Sequence, residues 1–320
     1  MKRKINRVGQ NTLTVSLPSK WAQKHNLKPG QEIDVDEEGK SLVLNVKKGV
    51  KRAKKARLNL DGLSHVTINR FIDEFYRQGV EEITLKFAKE TIKNFKKNKD
   101  VEVDKHIRNI ARRYIGLEVI SKTSDKIVLQ SIITKEESEK IEVVEKRVYF
   151  LIKDLIDEFI KALDGDFSKF HDKVYDYHDN IAKFSNYYFR LLNFSDLSDE
   201  KKSRLFGLFI VIDKIIDKIR HASERVDEMK KITDKIKKYI KEIYLIFLEQ
   251  FDMILKKGYS VEELTDLIKR RYSLVKKVNS EKFKDDEIKV ISECNLLLNA
   301  VNDFTEAYVA LNIDKYVSEE

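Results

Sequence analysis

The chain of 320 residues predicts a multidomain α+β protein. It reads as a small β-rich module at residues 1–47, a small α+β domain at 57–134, and an all-α half from 135 onward. Three observations carry this. Short polar/apolar alternations punctuated by Pro18, Pro29, Gly9 and Gly30 fill the first 46 residues. Strand and helix periods then alternate as far as Thr134. From Lys135 on there is no proline, and apolar residues recur at helical spacing.

Charge separates the first module from the rest. From Met1 to Gln31 there are seven cations (Lys2, Arg3, Lys4, Arg7, Lys20, Lys24 and Lys28) and no Asp or Glu. The acids of the module follow together, at Glu32, Asp34, Asp36, Glu37 and Glu38. Residues 1–57 hold 15 Lys and Arg against 5 Asp and Glu, and the remainder 48 against 49. The net charge of +9 therefore resides in the N-terminal segment. A surface with cations and no anions is the footprint of one that meets phosphates.

Within the module, Ile5 and Val8 predict a strand turned by Gly9. Leu13, Val15 and Leu17 alternate with Thr12, Thr14 and Ser16 as a half-buried strand. Pro18 opens a short helix to about His25, where its missing N–H costs nothing. Trp21 on that helix is read as packing. Asn26 suits a left-handed cap, and Pro29-Gly30 a type II turn. Ile33 and Val35 begin a strand that turns at Glu38-Gly39, and Leu42, Leu44 and Val46 line one face of the last.

This ββαββ order, carried by RKINRVGQNTLTVSLPSKWAQKHNLKPGQEIDV, resembles the AbrB/MazE/SpoVT DNA-binding module. The resemblance implies a swapped-hairpin β-barrel shared by two chains. It also implies DNA contacts by Arg3, Lys4, Arg7 and Lys20, with Lys24 extending the patch, and Lys2 joins this set as a neighbouring cation. Gln10 stands where some members carry Arg, which implies a different or weaker DNA readout. Some 45 residues bury little core alone, so a homodimer is the expected remedy.

Residues 48–56 read as a basic linker within Lys47–Arg57, which holds seven cations and extends by self-repulsion. In the middle domain, Arg57–Leu60 predicts a strand. Ser64 caps a helix that turns Ile68, Phe71, Ile72 and Phe75 inward and ends at Gly79. Ile83–Phe87 alternates as a strand, Ile107, Ile110 and Tyr114 mark a helix ending at Gly116, and a hairpin turns at Ser124-Asp125. No phosphate loop, nucleophile motif or Cys/His ligand spacing stands in it.

The last half predicts six helices, broken near Gly165, Ser195–Ser198, Met229–Thr233, Gly258–Ser260 and Asn279–Phe283. Residues 135–230 and 231–320 form a tandem repeat of three helices each. Ile212-Asp213 to Asp217 aligns with Leu298-Asn299 to Asp303, and FLIKDLIDEFIKALDGDFSKF loosely with IYLIFLEQFDMILKKGYSVEEL. With HDKVYDYHDNIAKFSNYYFRLLN as the preceding helix, this half resembles PhoU. The acids of that family's D-x-x-x-D signature fall at Asp213 and Asp217. The resemblance implies a divalent or iron metal cluster on Asp176, Asp179, Asp213 and Asp217, which His221 could join. The other reading is a solvated acidic face paired with Lys173, Lys214 and Lys218. In the second repeat Asn299 replaces one acid and Lys269, Arg270 and Arg271 stand near the others, so no second cluster is expected. Cys294 is expected in the core.

The whole order resembles a group of archaeal PhoU-like phosphate uptake regulators. It implies a cytoplasmic, dimeric transcriptional regulator that binds double-stranded DNA and is not an enzyme. The helical half would sense phosphate status through a transporter or sensor protein. The alternative is a signalling adaptor for such a partner, with the barrel used only to dimerise. The single cysteine points to a reducing compartment. MKRKINRVGQ lacks the apolar run of a signal peptide, and the longest apolar run, Leu205–Ile212, is too short to span a bilayer.

Overall fold

The computed structural model describes residues 2–38, 41–46, 54–95, 98–133, 140–229, 231–255 and 260–317. The chain divides into two compact units, Met1–Ala53 and Lys54–Glu320.

The first unit holds two separate antiparallel hairpins and one short helix. Strands β1 (Ile5–Val8) and β2 (Thr12–Val15) pair with Val8 opposite Thr12, turning at Gly9 with φ +71°. Helix α1 (Ser19–Lys24) begins behind Pro18. Asn26 takes the left-handed conformation at φ 51°. Gly30 lies at φ +82°, and Gln31 N donates to the Lys28 carbonyl at 3.1 Å, as a type II turn through Pro29-Gly30 requires. Strands β3 (Asp34–Glu38) and β4 (Ser41–Asn45) complete the unit, so Ile33 stands just outside its expected strand. The expected turn at Gly39 lies outside the described residues. Among the described residues the hairpins do not pair with each other and form no closed sheet. Among the unit's residues whose burial is described, none is buried.

In the second unit the α+β domain comes first. Strand β5 (Lys55–Asn59) pairs in parallel with β6 (Glu82–Lys86), and helix α2 (His65–Arg77) crosses between them. A β-hairpin of β7 (Thr91–Asn94) and β8 (Lys99–Glu102) and helix α3 (Val103–Ala111) precede β9 (Leu117–Lys122) and β10 (Lys126–Ser131). The sheet order is β5-β6-β10-β9. Ser64 caps α2 as expected, its hydroxyl accepting from Thr67 N at 3.2 Å. Two expectations are corrected. Phe71 faces outward, since Ile68, Ile72 and Tyr76 at i, i+4 and i+8 form the buried stripe. Lys55–Arg57, expected in the basic linker or at its boundary, lies in a strand of the sheet. The remainder of that linker, 47–53, lies outside the described residues.

Six helices follow: α4 (Ile141–Ala162), α5 (Phe167–Phe194), α6 (Asp199–Asp227), α7 (Asp234–Leu255), α8 (Val261–Ser280) and α9 (Asp285–Asn312). One apolar core runs through all six, from Val144 to Tyr308, so the two repeat segments share it. The α+β domain keeps a core of its own, from Leu60 to Leu129. Cys294 is fully buried.

The α+β domain and the bundle are joined by polar contacts between α2 and α5. Arg190, with no exposed surface, donates to the carbonyls of Tyr76 and Val80 at 2.9 and 3.0 Å. Its guanidinium also stacks on the Tyr76 and Phe194 rings. Arg77 Nε donates to Asn186 Oδ1, and Asn193 Nδ2 to the Arg77 carbonyl, both at 2.7 Å. Charged and amide donors thus fill the backbone acceptors at the end of α2, where orphan carbonyls would be costly.

Candidate nucleic-acid interface and the acidic face of the bundle

The cations expected to meet DNA are all exposed. Lys2 and Lys4 lie in the extended segment before β1. Lys20 and Lys24 stand one turn apart on the same face of α1. The side chains of Lys2, Lys4, Arg7, Lys20 and Lys24 have no hydrogen-bond or ion-pair partner among the described residues.

Arg7 differs from the others. It stands opposite Leu13, while Ile5 stands opposite Val15, so all four share one face of the first hairpin. That face is uncovered: Ile5 is 68% and Leu13 64% exposed. In the second hairpin Val35 pairs with Leu44 and Glu37 with Leu42, and Leu42 is likewise 64% exposed. The unit therefore carries two uncovered apolar faces beside its free cations. Trp21 is half-buried, its ring 5.1 Å from that of His25.

On the bundle, the structure does not gather the four expected metal-binding carboxylates. Asp179 and Asp217 are linked through His178, whose Nδ1 lies 3.1 Å from Asp179 Oδ1 and whose Nε2 lies 3.2 Å from Asp217 Oδ1. Burial pulls the His178 pKa down, but the hydrogen bonds and charges of the two carboxylates outweigh it and raise it to about 9. The imidazolium's hydrogen bond in turn holds Asp217 at about 2 and lowers Asp179. Both ring nitrogens are therefore N–H donors, and a metal ion would meet a cation already in place. Arg220 extends the chain of charges, 3.4 Å from Asp217 and 2.7 Å from Glu224, and Tyr175 donates to Glu224 at 2.9 Å. Arg113 reaches Asp179 at 3.9 Å from the α+β domain.

Asp176 points to solvent, and Asp213 pairs with Lys214 at 3.8 Å. His221 Nε2 accepts from Arg220 at 2.8 Å rather than joining the acids. Among the described residues no three His, Cys, Asp or Glu side chains lie close enough to hold a metal ion. In the second repeat the buried Arg271 donates to the Leu298 carbonyl at 2.7 Å and to Asn299 Oδ1 at 3.2 Å. Sequence spacing placed Asp213 and Asp217 on one face of α6, toward Asp176 and Asp179 on the neighbouring α5. It did not show that His178 would take the space between two of them, although a histidine beside Asp179 was the available signal.

Comparison with known proteins bears on the first unit. A family model described as antidote-toxin recognition MazE, bacterial antitoxin, matches residues 7–54. No curated protein and no solved structure matches the chain significantly. Among the described residues no helix is long and apolar enough to cross a membrane.

Proposed function

We propose that this chain is a homodimeric regulator of transcription that grips double-stranded DNA through residues 2–24 and is not an enzyme. The observation that carries the proposal is a set of exposed, unpartnered cations on a MazE-type module whose apolar faces are uncovered. A second copy laid against Ile5, Leu13, Leu42 and their neighbours closes the swapped-hairpin barrel that one chain leaves open. Two copies then present two sets of cations side by side, enough for several phosphate contacts.

The helical half supplies the sensing and partner module. Its likeness to PhoU makes phosphate uptake and homeostasis the process regulated, with a transporter or sensor protein as its partner. The reading as a signalling adaptor, in which the module only dimerises, is favoured by one observation. Arg7 shares the apolar face of the hairpin and is therefore placed for the dimer contact.

The test is binding of full-length protein to its own upstream region and to phosphate-transporter promoters, against random DNA, across a salt series. The regulator predicts sequence-specific binding that weakens steeply with salt, at a slope of about −0.9 per phosphate neutralised. Binding equal on all sequences and gone at moderate salt would favour the adaptor. Within the cation set, Lys20→Ala/Lys24→Ala reduces the salt slope without altering dimerisation. Arg7→Ala also weakens the dimer if the adaptor geometry holds.

A further inference from the structure

An open cleft of about 610 Å³ lies where the α+β domain meets helix α5. Its charged lining is Arg108, Arg112 and Lys183 against the single acid Glu118, and its apolar wall includes Tyr114 and Leu117. Arg108 pairs with Asp104 at 3.0 Å. Arg112 and Lys183 have no side-chain hydrogen bond or ion pair among the described residues. Arg108 and Arg112 close helix α3, where cations complement the carbonyl end of the dipole. That role does not account for Lys183, which comes from α5 and lines the same cleft.

The wall is rigid. Tyr114 is buried and its hydroxyl donates to Asp73, with burial and that carboxylate raising its pKa. Leu117 is buried at the start of β9. The volume falls within the range of small-molecule sites and far exceeds the needs of a free inorganic anion. Convergent cations beside an apolar wall suit a ligand with an anionic end and an organic body.

We propose that this cleft binds a small phosphorylated organic molecule, its phosphate held by Arg112 and Lys183 and its body against Tyr114 and Leu117. Because Arg112 belongs to one domain and Lys183 to the other, the ligand braces their junction. The site stands independently of the DNA-binding role. It would be an effector site only if the regulator reading holds.

The test is a thermal-shift and calorimetric panel on full-length protein with ATP, glucose 6-phosphate and 3-phosphoglycerate, with sodium sulfate at matched ionic strength. The expected result is that at least one organic phosphate raises the bundle's melting temperature by several degrees while sulfate does not. In Arg112→Glu/Lys183→Glu the affinity for that compound falls at least tenfold, while the ligand-free melting temperature falls only slightly, through the reversed charge at the carbonyl end of α3. In Lys2→Ala/Arg3→Ala/Lys4→Ala/Arg7→Ala the affinity persists, which separates this site from the basic N-terminal module. No shift with any of the three compounds, or a shift that survives the double Glu variant, overturns the proposal. DNA binding measured with and without the compound reads the effector role separately.

Discussion

The two units of this chain treat apolar side chains in opposite ways. In the second, Tyr188, Phe209, Phe247 and Phe304 are sealed into a core that six helices share. In the first, Ile5, Leu13 and Leu42 remain open to solvent although they alternate as a strand's inner face should. The difference is one of size. A module of some 45 residues has too much surface for its volume to close a core alone. A bundle of six helices does not have that difficulty. The lesson is that alternation identifies the face to be covered and says nothing of which chain covers it.

The sharpest way to break that comparison is to remove one large side chain from each side of it. Phe209 stacks on Tyr188 with ring centroids 3.6 Å apart. Phe209→Ala should destabilise the bundle by about 3–5 kcal/mol, read from urea unfolding by helical circular dichroism. Leu13→Ala/Leu42→Ala should leave that transition in place and instead weaken self-association, about a hundredfold in sedimentation equilibrium, since each chain loses two apolar contacts in the dimer. If the second variant lowers the bundle's midpoint and leaves association unchanged, the open faces are not the dimer contact.

Two glycines repeat the comparison on a smaller scale. Gly30 and Gly79 share nearly the same backbone, at φ +82° and +75°. A Cβ on Gly30 meets nothing within 4 Å, whereas on Gly79 it lies 2.9 Å from the Phe194 ring. Gly30→Ala should therefore cost only the left-handed strain, about 1 kcal/mol. Gly79→Ala adds a clash beside the buried Arg190 and should cost more, about 2–3 kcal/mol. Equal midpoints for the two variants would mean that the junction of α2 and α5 yields more readily than its packing implies.

Much of this was legible in the residues. The type II turn at Pro29-Gly30, the left-handed Asn26, the Ser64 cap and the six helices follow from local chemistry that tertiary structure seldom overrides. The β7–β8 hairpin was not legible. Its strands Thr91–Asn94 and Lys99–Glu102 hold one apolar residue each and so give no alternation, and only Ile92 is buried between them. Phe71 was misplaced because Ile68 and Ile72 leave it a hundred degrees off the buried stripe, a distinction that needs the sheet's position. The cations proposed to meet DNA could be named from charge alone. Arg7's place on the apolar face required the strand register. The arrangement of the acidic face was the least legible, because spacing along α5 and α6 cannot reveal that His178 sits between Asp179 and Asp217.

That histidine gives the one predicted effect that depends on pH. Its pKa rises from 6.5 to about 9 in the folded chain, through its two carboxylates and against the pull of burial. A group raised on folding contributes its stability fully below its unfolded pKa and loses it as pH climbs through the folded one. The window is therefore between about 6.5 and 9. Asp217, held at about 2, contributes above its ordinary value of 3.8 and loses that contribution only as pH falls toward 2, so it does not interfere. His178 is about one-fifth exposed and Asp179 well over half, so solvent screens the interaction. The expected loss is about 1–2 kcal/mol between pH 6.5 and 9. In His178→Asn that slope should flatten, because the neutral amide carries no proton to lose. A histidine variant whose urea midpoint still falls as steeply across this range would mean that the links to Asp179 and Asp217 do not hold the imidazolium, and would reopen the acids to an external cation.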